Sequence, residues 1–198
     1  METKTGRSVL DGRARAGQAQ IRAHPLTAPS VGDNRRVFVH RPIERTRDSD
    51  YRLRLSDAER ELLRAVSGEL LGVLREEPGD PALRRLFPPA YEDDEESQEE
   101  YRRLMHAELQ EGRREALLLL AETAGRDRLT AEELDAWLRA LTDLRLALGT
   151  RLDVTEDTYA REIDPQDPDA YELSVFGYLS WLQEQAVEAA ARAYDEGS

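Results

Sequence analysis

Side chains able to do chemistry are few and scattered in this sequence. The three histidines, His24, His40 and His106, share no metal-ligand spacing, and no His-Glu-x-x-His occurs. A di-iron bundle site needs Glu-x-x-His pairs, but Arg103 stands three residues before His106. Gly12 and Gly17 have the spacing of the two P-loop glycines. Gln18-Ala19 follows them, where phosphate grip and magnesium need Lys and Ser or Thr. Neither Gly-x-Ser-x-Gly nor Gly-x-Gly-x-x-Gly is present. With 0 cysteines there is no disulfide, thiolate metal site or thiol nucleophile in these residues. The run Glu92-Asp93-Asp94-Glu95-Glu96, then Glu99-Glu100, lacks the alternating ligands and glycine of a calcium loop. It reads as a solvated, acidic helix start. These residues predict no enzyme, no cofactor and no metal.

One stretch has more to offer, Asp143-Leu-Arg-Leu-Ala-Leu-Gly-Thr-Arg-Leu152. Arg145 falls at the edge of an apolar stripe, where a charge needs a partner. Asp143 and Glu184 are the partners expected, and a pairing with Glu184 would join two helices. Two readings are open for the group Asp143, Arg145, Arg151, Trp181 and Glu184. It is either a polar staple inside a bundle or a site for a partner or ligand. Trp137 and Trp181 both fall on or beside core stripes, so packing is expected. Exposure of either would mark an interface anchor.

Helical elements must position these groups. Ser56-Asp-Ala-Glu59, Ser97-Gln-Glu-Glu100 and Thr130-Ala-Glu-Glu133 each fit the capping box. A fourth helix is expected after Asp167-Pro168. The apolar stripes repeat with the helical period. They comprise Leu62, Leu63, Val66, Leu70, Val73 and Leu74; Tyr101, Leu104, Met105 and Leu109, then Leu117 to Leu120; Leu134, Trp137, Leu138, Leu141, Leu144 and Leu148; and Val175, Tyr178, Leu179, Leu182 and Ala186. Gly149 is the expected terminator of the third helix. Pro78, Pro81, Pro88 and Pro89 make the first inter-helix link irregular. Ahead of the helices, Ile43–Arg47 and Tyr51–Leu55 flank Asp48-Ser49-Asp50, a hairpin signal. The expected fold is all-α, about four main helices in a bundle, preceded by a small β-hairpin.

Residues 1–35 lack an apolar period and carry Gly, Pro and Arg, so a disordered basic leader is expected there, with one helical domain over 36–198. The 198 residues hold 28 Lys+Arg and 41 Asp+Glu, net −13. The imbalance is uneven: residues 1–47 are net +6 and residues 48–198 net −19. An acidic body argues against direct DNA binding. No apolar run is long enough for a membrane, and the first residues lack a secretory apolar core. A cytoplasmic location is expected.

Several segments resemble the actinobacterial family of AosR-type oxidative-stress regulators, long described as a domain of unknown function. They are Tyr51-Arg-Leu-Arg-Leu-Ser-Asp57, Asp80-Pro-Ala-Leu-Arg-Arg-Leu-Phe-Pro-Pro-Ala-Tyr91, Asp143–Leu152 and Tyr178-Leu-Ser-Trp-Leu-Gln-Glu184. The likeness covers about residues 45–192. It implies a cytoplasmic regulator linked to redox stress and cysteine supply. The expected mode of action is non-enzymatic, by binding another protein, with the transcription machinery as the expected source of the partner. The chain departs from such a role in one respect: without cysteine, no thiol–disulfide switch operates within it. An adaptor or scaffold in proteolysis or stress handling is the alternative, and a small-molecule-binding bundle the third reading.

Overall fold

The alternation of Tyr51, Leu53 and Leu55 with arginines produces a strand whose apolar side is buried. Strand β2 (Tyr51–Leu53) pairs antiparallel with β1 (Ile43–Arg45), Ile43 opposite Leu53 and Arg45 opposite Tyr51. Thr46 closes the loop, donating from its backbone N–H and its hydroxyl to Asp50 O. Ser49 takes a left-handed φ of 66° in the turn. The computed structural model describes residues 41–76, 80–88, 95–155, 158, 163–164 and 166–195, with backbone alone for 95–107 and 193–195. The expected leader over 1–35, His24, His40 and the paired glycines 12 and 17 lie outside the described residues. So do Glu92–Asp94 and the side chain of His106.

Four long helices follow among the described residues: α1 (Asp57–Glu76), α2 (Glu95–Thr123), α3 (Ala131–Arg151) and α4 (Ala170–Asp195). A 3-10 helix, Pro81–Arg85, occupies the proline-rich link. Two capping boxes form as expected. Ser56 N–H donates to Glu59 at 2.7 Å while Ser56 Oγ accepts from Glu59 N–H, and Thr130 and Glu133 repeat the exchange. The third does not mark a helix start, since α2 is already helical at Glu95, two residues before Ser97. The fourth helix follows Asp167-Pro168 as expected, but it opens at Ala170, so Pro168 is in the preceding turn and not at the first helical position. Asp167 shapes that turn, accepting from Asp169 N–H with its carboxylate and from Ala170 N–H with its carbonyl, and Asp169 O accepts the first helical bond, from Leu173 N–H.

Gly149 does not end α3, which runs on to Arg151. The terminator is Asp153, at φ 48°, with Asp153 N–H donating to Thr150 O and Val154 N–H to Gly149 O. These two bonds are a Schellman motif, completed by an aspartate where glycine is usual. Gly149 serves a different need. A Cβ there would stand 3.1 Å from the Phe176 ring of α4.

Contacts between successive helices run in opposite chain directions. Arg60 meets Ala124 and Gln110 meets Leu74 across α1 and α2; Trp137 meets Thr123 across α2 and α3; Gln183 meets Thr142 across α3 and α4. The bundle is therefore up-down-up-down. Helix α3 is central, touching α1, α2, α4 and the 3-10 helix. Trp137, as expected, is fully buried, its indole N–H donating to Thr123 Oγ1 at 2.7 Å. Leu109, expected on a buried stripe, is 40% exposed. A two-residue strand β3 (Arg128–Leu129) adds to β2, so the hairpin becomes a three-stranded antiparallel sheet. Sequence alternation cannot show so short a strand.

Candidate functional site

Helix α3 presents polar groups in two directions, because residues two apart on a helix point to different faces. Asp143 faces α2. It is buried and accepts a hydrogen bond from Arg113 Nη1. Arg113 Nη2 also donates to Leu86 O at 2.7 Å, and its guanidinium lies 5.3 Å from the Phe87 ring centroid. One arginine thus clamps α2, α3 and the residues after the 3-10 helix together. Burial pushes the Asp143 carboxyl up to about 6, despite the opposing pull of Arg113. Arg113 Nε is buried without an acceptor, so the clamp is incompletely satisfied.

Arg145 faces α4. Its Nε donates to Ser180 Oγ at 2.9 Å and its Nη1 to Gln183 Oε1 at 2.6 Å. Gln183 Nε2 continues to Thr142 Oγ1 at 2.9 Å, and the guanidinium lies 5.8 Å from the Phe176 centroid. The expected ion pairs of Arg145 with Glu184 or Asp143 do not form. Asp143 belongs to Arg113, and Glu184 points outward, one residue beyond the Gln183 that Arg145 uses. The five residues singled out by sequence are therefore not one cluster. Asp143 and Arg145 are staples on different faces of α3, while Arg151 and Glu184 are exposed and Trp181 is half-buried, its ring 5.9 Å from that of Tyr178.

Sequence reasoning missed Arg113, though a signal exists: it occupies the same helical stripe as Leu109, Leu117 and Leu120. It also missed Arg60, which donates to Leu55 O, Ala124 O, Arg126 O and Asp127 Oδ1. That side chain caps the end of α2 across 64 residues of sequence, a contact no local pattern encodes. Arg60 also lines a polar cleft of about 410 Å³ with Leu55, Asp57, Glu61, Arg64, Gly125 and Asp127. Its donors there are used by the fold.

Among the described residues no group of three or more His, Cys, Asp or Glu could hold a metal ion. No described helix is long and apolar enough to cross a membrane.

A family model described as a domain of unknown function, DUF2017, matches residues 40–190. The oxidative stress regulator AosR of Mycobacterium tuberculosis H37Rv is 29% identical over 182 residues, covering 72% of this chain and 83% of the relative. The oxidative stress regulator AosR of Mycobacterium bovis matches to the same extent. No solved structure matches.

Proposed function

The chain belongs to the DUF2017 family, and from that premise we propose that it is a non-enzymatic, cytoplasmic regulator of the oxidative-stress response that works by binding another protein. The names of the relatives support a regulatory role. The observation that carries the binding mode is the division of polar groups around α3 and α4. Asp143, Arg113, Arg145, Ser180 and Gln183 each direct at least one side-chain hydrogen bond to a neighbouring element. Glu184 and Arg151 remain on the surface, with half-buried Trp181 one turn from Glu184. A large, half-buried aromatic beside an exposed carboxylate is the composition of an interface anchor.

The partner belongs to the transcription machinery. A body of net −19 repels a phosphate backbone, so promoter specificity comes from that partner. Signal detection also belongs to the partner or to a bound group, since no thiol chemistry exists here.

Affinity purification of the full chain from native cells, with and without peroxide, tests this reading. A stoichiometric transcription protein is expected in the eluate. The purified chain alone should not distinguish promoter from scrambled duplex near physiological salt. Discrimination by the chain alone would overturn the proposal. Recovery of a protease component in place of a transcription protein would favour an adaptor in proteolysis.

A further inference from the structure

Three charged side chains on the first turns of α1, Asp57, Glu61 and Arg64, make no hydrogen bond or ion pair among the described residues. Their spacing of four and three residues sets them on one face of the helix. All three line the cleft of about 410 Å³ between the start of α1 and the turn after α2, where Gly125 and Asp127 form the other wall. The remaining charges of the cleft are already matched. Arg60 donates to Asp127 Oδ1 at 2.8 Å and gives its other hydrogen bonds to Leu55 O, Ala124 O and Arg126 O.

Glu61 and Arg64 stand three residues apart, a spacing at which a helix pairs opposite charges. They do not pair here. The Arg64 guanidinium turns to Gly125 instead, where a Cβ would collide with Nη2 and lie 3.5 Å from Cζ. Gly125 thus leaves room for a cation just past the C-terminal end of α2, where the helix dipole favours positive charge. The guanidinium is held at the cleft wall with its N–H groups unused. Asp57 and Glu61, one turn apart, carry like charges that repel. Unused donors and unused carboxylates therefore stand side by side.

This arrangement selects its ligand by charge. A simple anion would meet Arg64 but face Asp57, Glu61 and Asp127. A simple cation would meet the carboxylates but face Arg60 and Arg64. A molecule with both charges on neighbouring atoms answers both, relieving the Asp57–Glu61 repulsion and filling the guanidinium fork. Leu55 is the one apolar side chain among the described lining residues, and it is buried, so a small polar ligand fits better than a large apolar one. We propose that this cleft binds a free α-amino acid, its carboxylate on Arg64 and its ammonium on Glu61 and Asp57. The site does not depend on the partner assigned above, since none of its lining residues lies on α4.

Amide spectra of the isotope-enriched full chain, titrated with each common free amino acid in turn, test the proposal. At least one should give saturable shifts centred on Glu61, Arg64, Gly125 and Asp127. Its N-acetyl derivative lacks the ammonium and its carboxamide lacks the carboxylate; each should bind more weakly by roughly tenfold or more. Arg64→Gln and Glu61→Gln should each weaken the free amino acid as much, with the thermal midpoint unchanged, because neither side chain has a partner in the fold. Glu184→Gln should leave binding as it is. No saturable shift with any amino acid would overturn the proposal, as would shifts centred elsewhere. Equal binding of the N-acetyl derivative would leave an anion site at Arg64 alone, and equal binding of the carboxamide a cation site at the carboxylates. Either result overturns the assignment, and both are read on the native chain, whatever the variants do.

Discussion

The two polar seams of α3 solve the same problem with opposite chemistry. Toward α2, a buried carboxylate meets a guanidinium, and that guanidinium also holds Leu86 O. Toward α4, a half-buried guanidinium meets two neutral oxygens, Ser180 Oγ and Gln183 Oε1. A buried ion pair is costly to assemble and more costly to break on one side. A ladder of neutral acceptors keeps the arginine charge near water, where its loss costs little more than the hydrogen bonds and the packing. The first seam fixes geometry sharply; the second tolerates substitution. One helix therefore has a rigid side and a forgiving side, and the forgiving side carries α4.

The largest effect should come from breaking the charged seam on one side. Arg113→Met should destabilise the fold by about 3–5 kcal/mol, because Asp143 is left buried and unpaired. Replacing both, Arg113→Met with Asp143→Leu, should recover most of that loss in denaturant melts. Non-recovery would show that the clamp on Leu86, not the ion pair, holds the seam.

The same seam should give the protein an unusual pH response. The folded Asp143 carboxyl, at about 6, lies above its ordinary value of 3.8, so the folded state holds the proton more tightly. Stability from this group is therefore fully present below about 4 and is lost as pH rises through about 6. The change amounts to roughly 1–3 kcal/mol. Asp143→Asn should flatten that part of the profile. A wild-type profile that rises across this window, by an amount Asp143→Asn abolishes, would mean that Arg113 outweighs burial.

On the neutral seam, Arg145→Met should cost about 1–2 kcal/mol. A double-mutant cycle between Arg145 and Glu184 should show no coupling, whereas one with Gln183 should.

Much of this contrast was hidden from the sequence. Helix starts at Ser56 and Thr130 were legible, because a capping box is a local exchange written within four residues. The hairpin was legible for the same reason. Arg145 stood out because it interrupts an apolar stripe, but its partner could not be read. A carboxylate at Glu184 looks a better partner for a guanidinium than the glutamine next to it, and rotation of α4 by one residue decides between them. Gly149 misled because glycine ends many helices; close approach of Phe176 is its use here, and an approach between distant residues leaves no local mark. β3 and the Arg60 cap likewise depend on segments brought together only by folding.

The smallest effect concerns the end of α3. Asp153→Gly should stabilise by up to about 1 kcal/mol, since Asp153 holds a left-handed φ that glycine adopts freely. A loss of stability would show that the aspartate side chain makes its own contribution to the cap.

The division of labour itself, staples inward and recognition outward, is tested most directly by partner retention at matched folded fraction. Full-length wild type, Arg145→Met, and Trp181→Ala with Glu184→Lys should be compared in one affinity measurement against the purified partner. Arg145→Met should retain wild-type affinity, while the outward double variant should lose it by tenfold or more, about 1.4 kcal/mol. Loss of binding in Arg145→Met with full binding in the double variant would contradict the account and move recognition into the seam between α3 and α4.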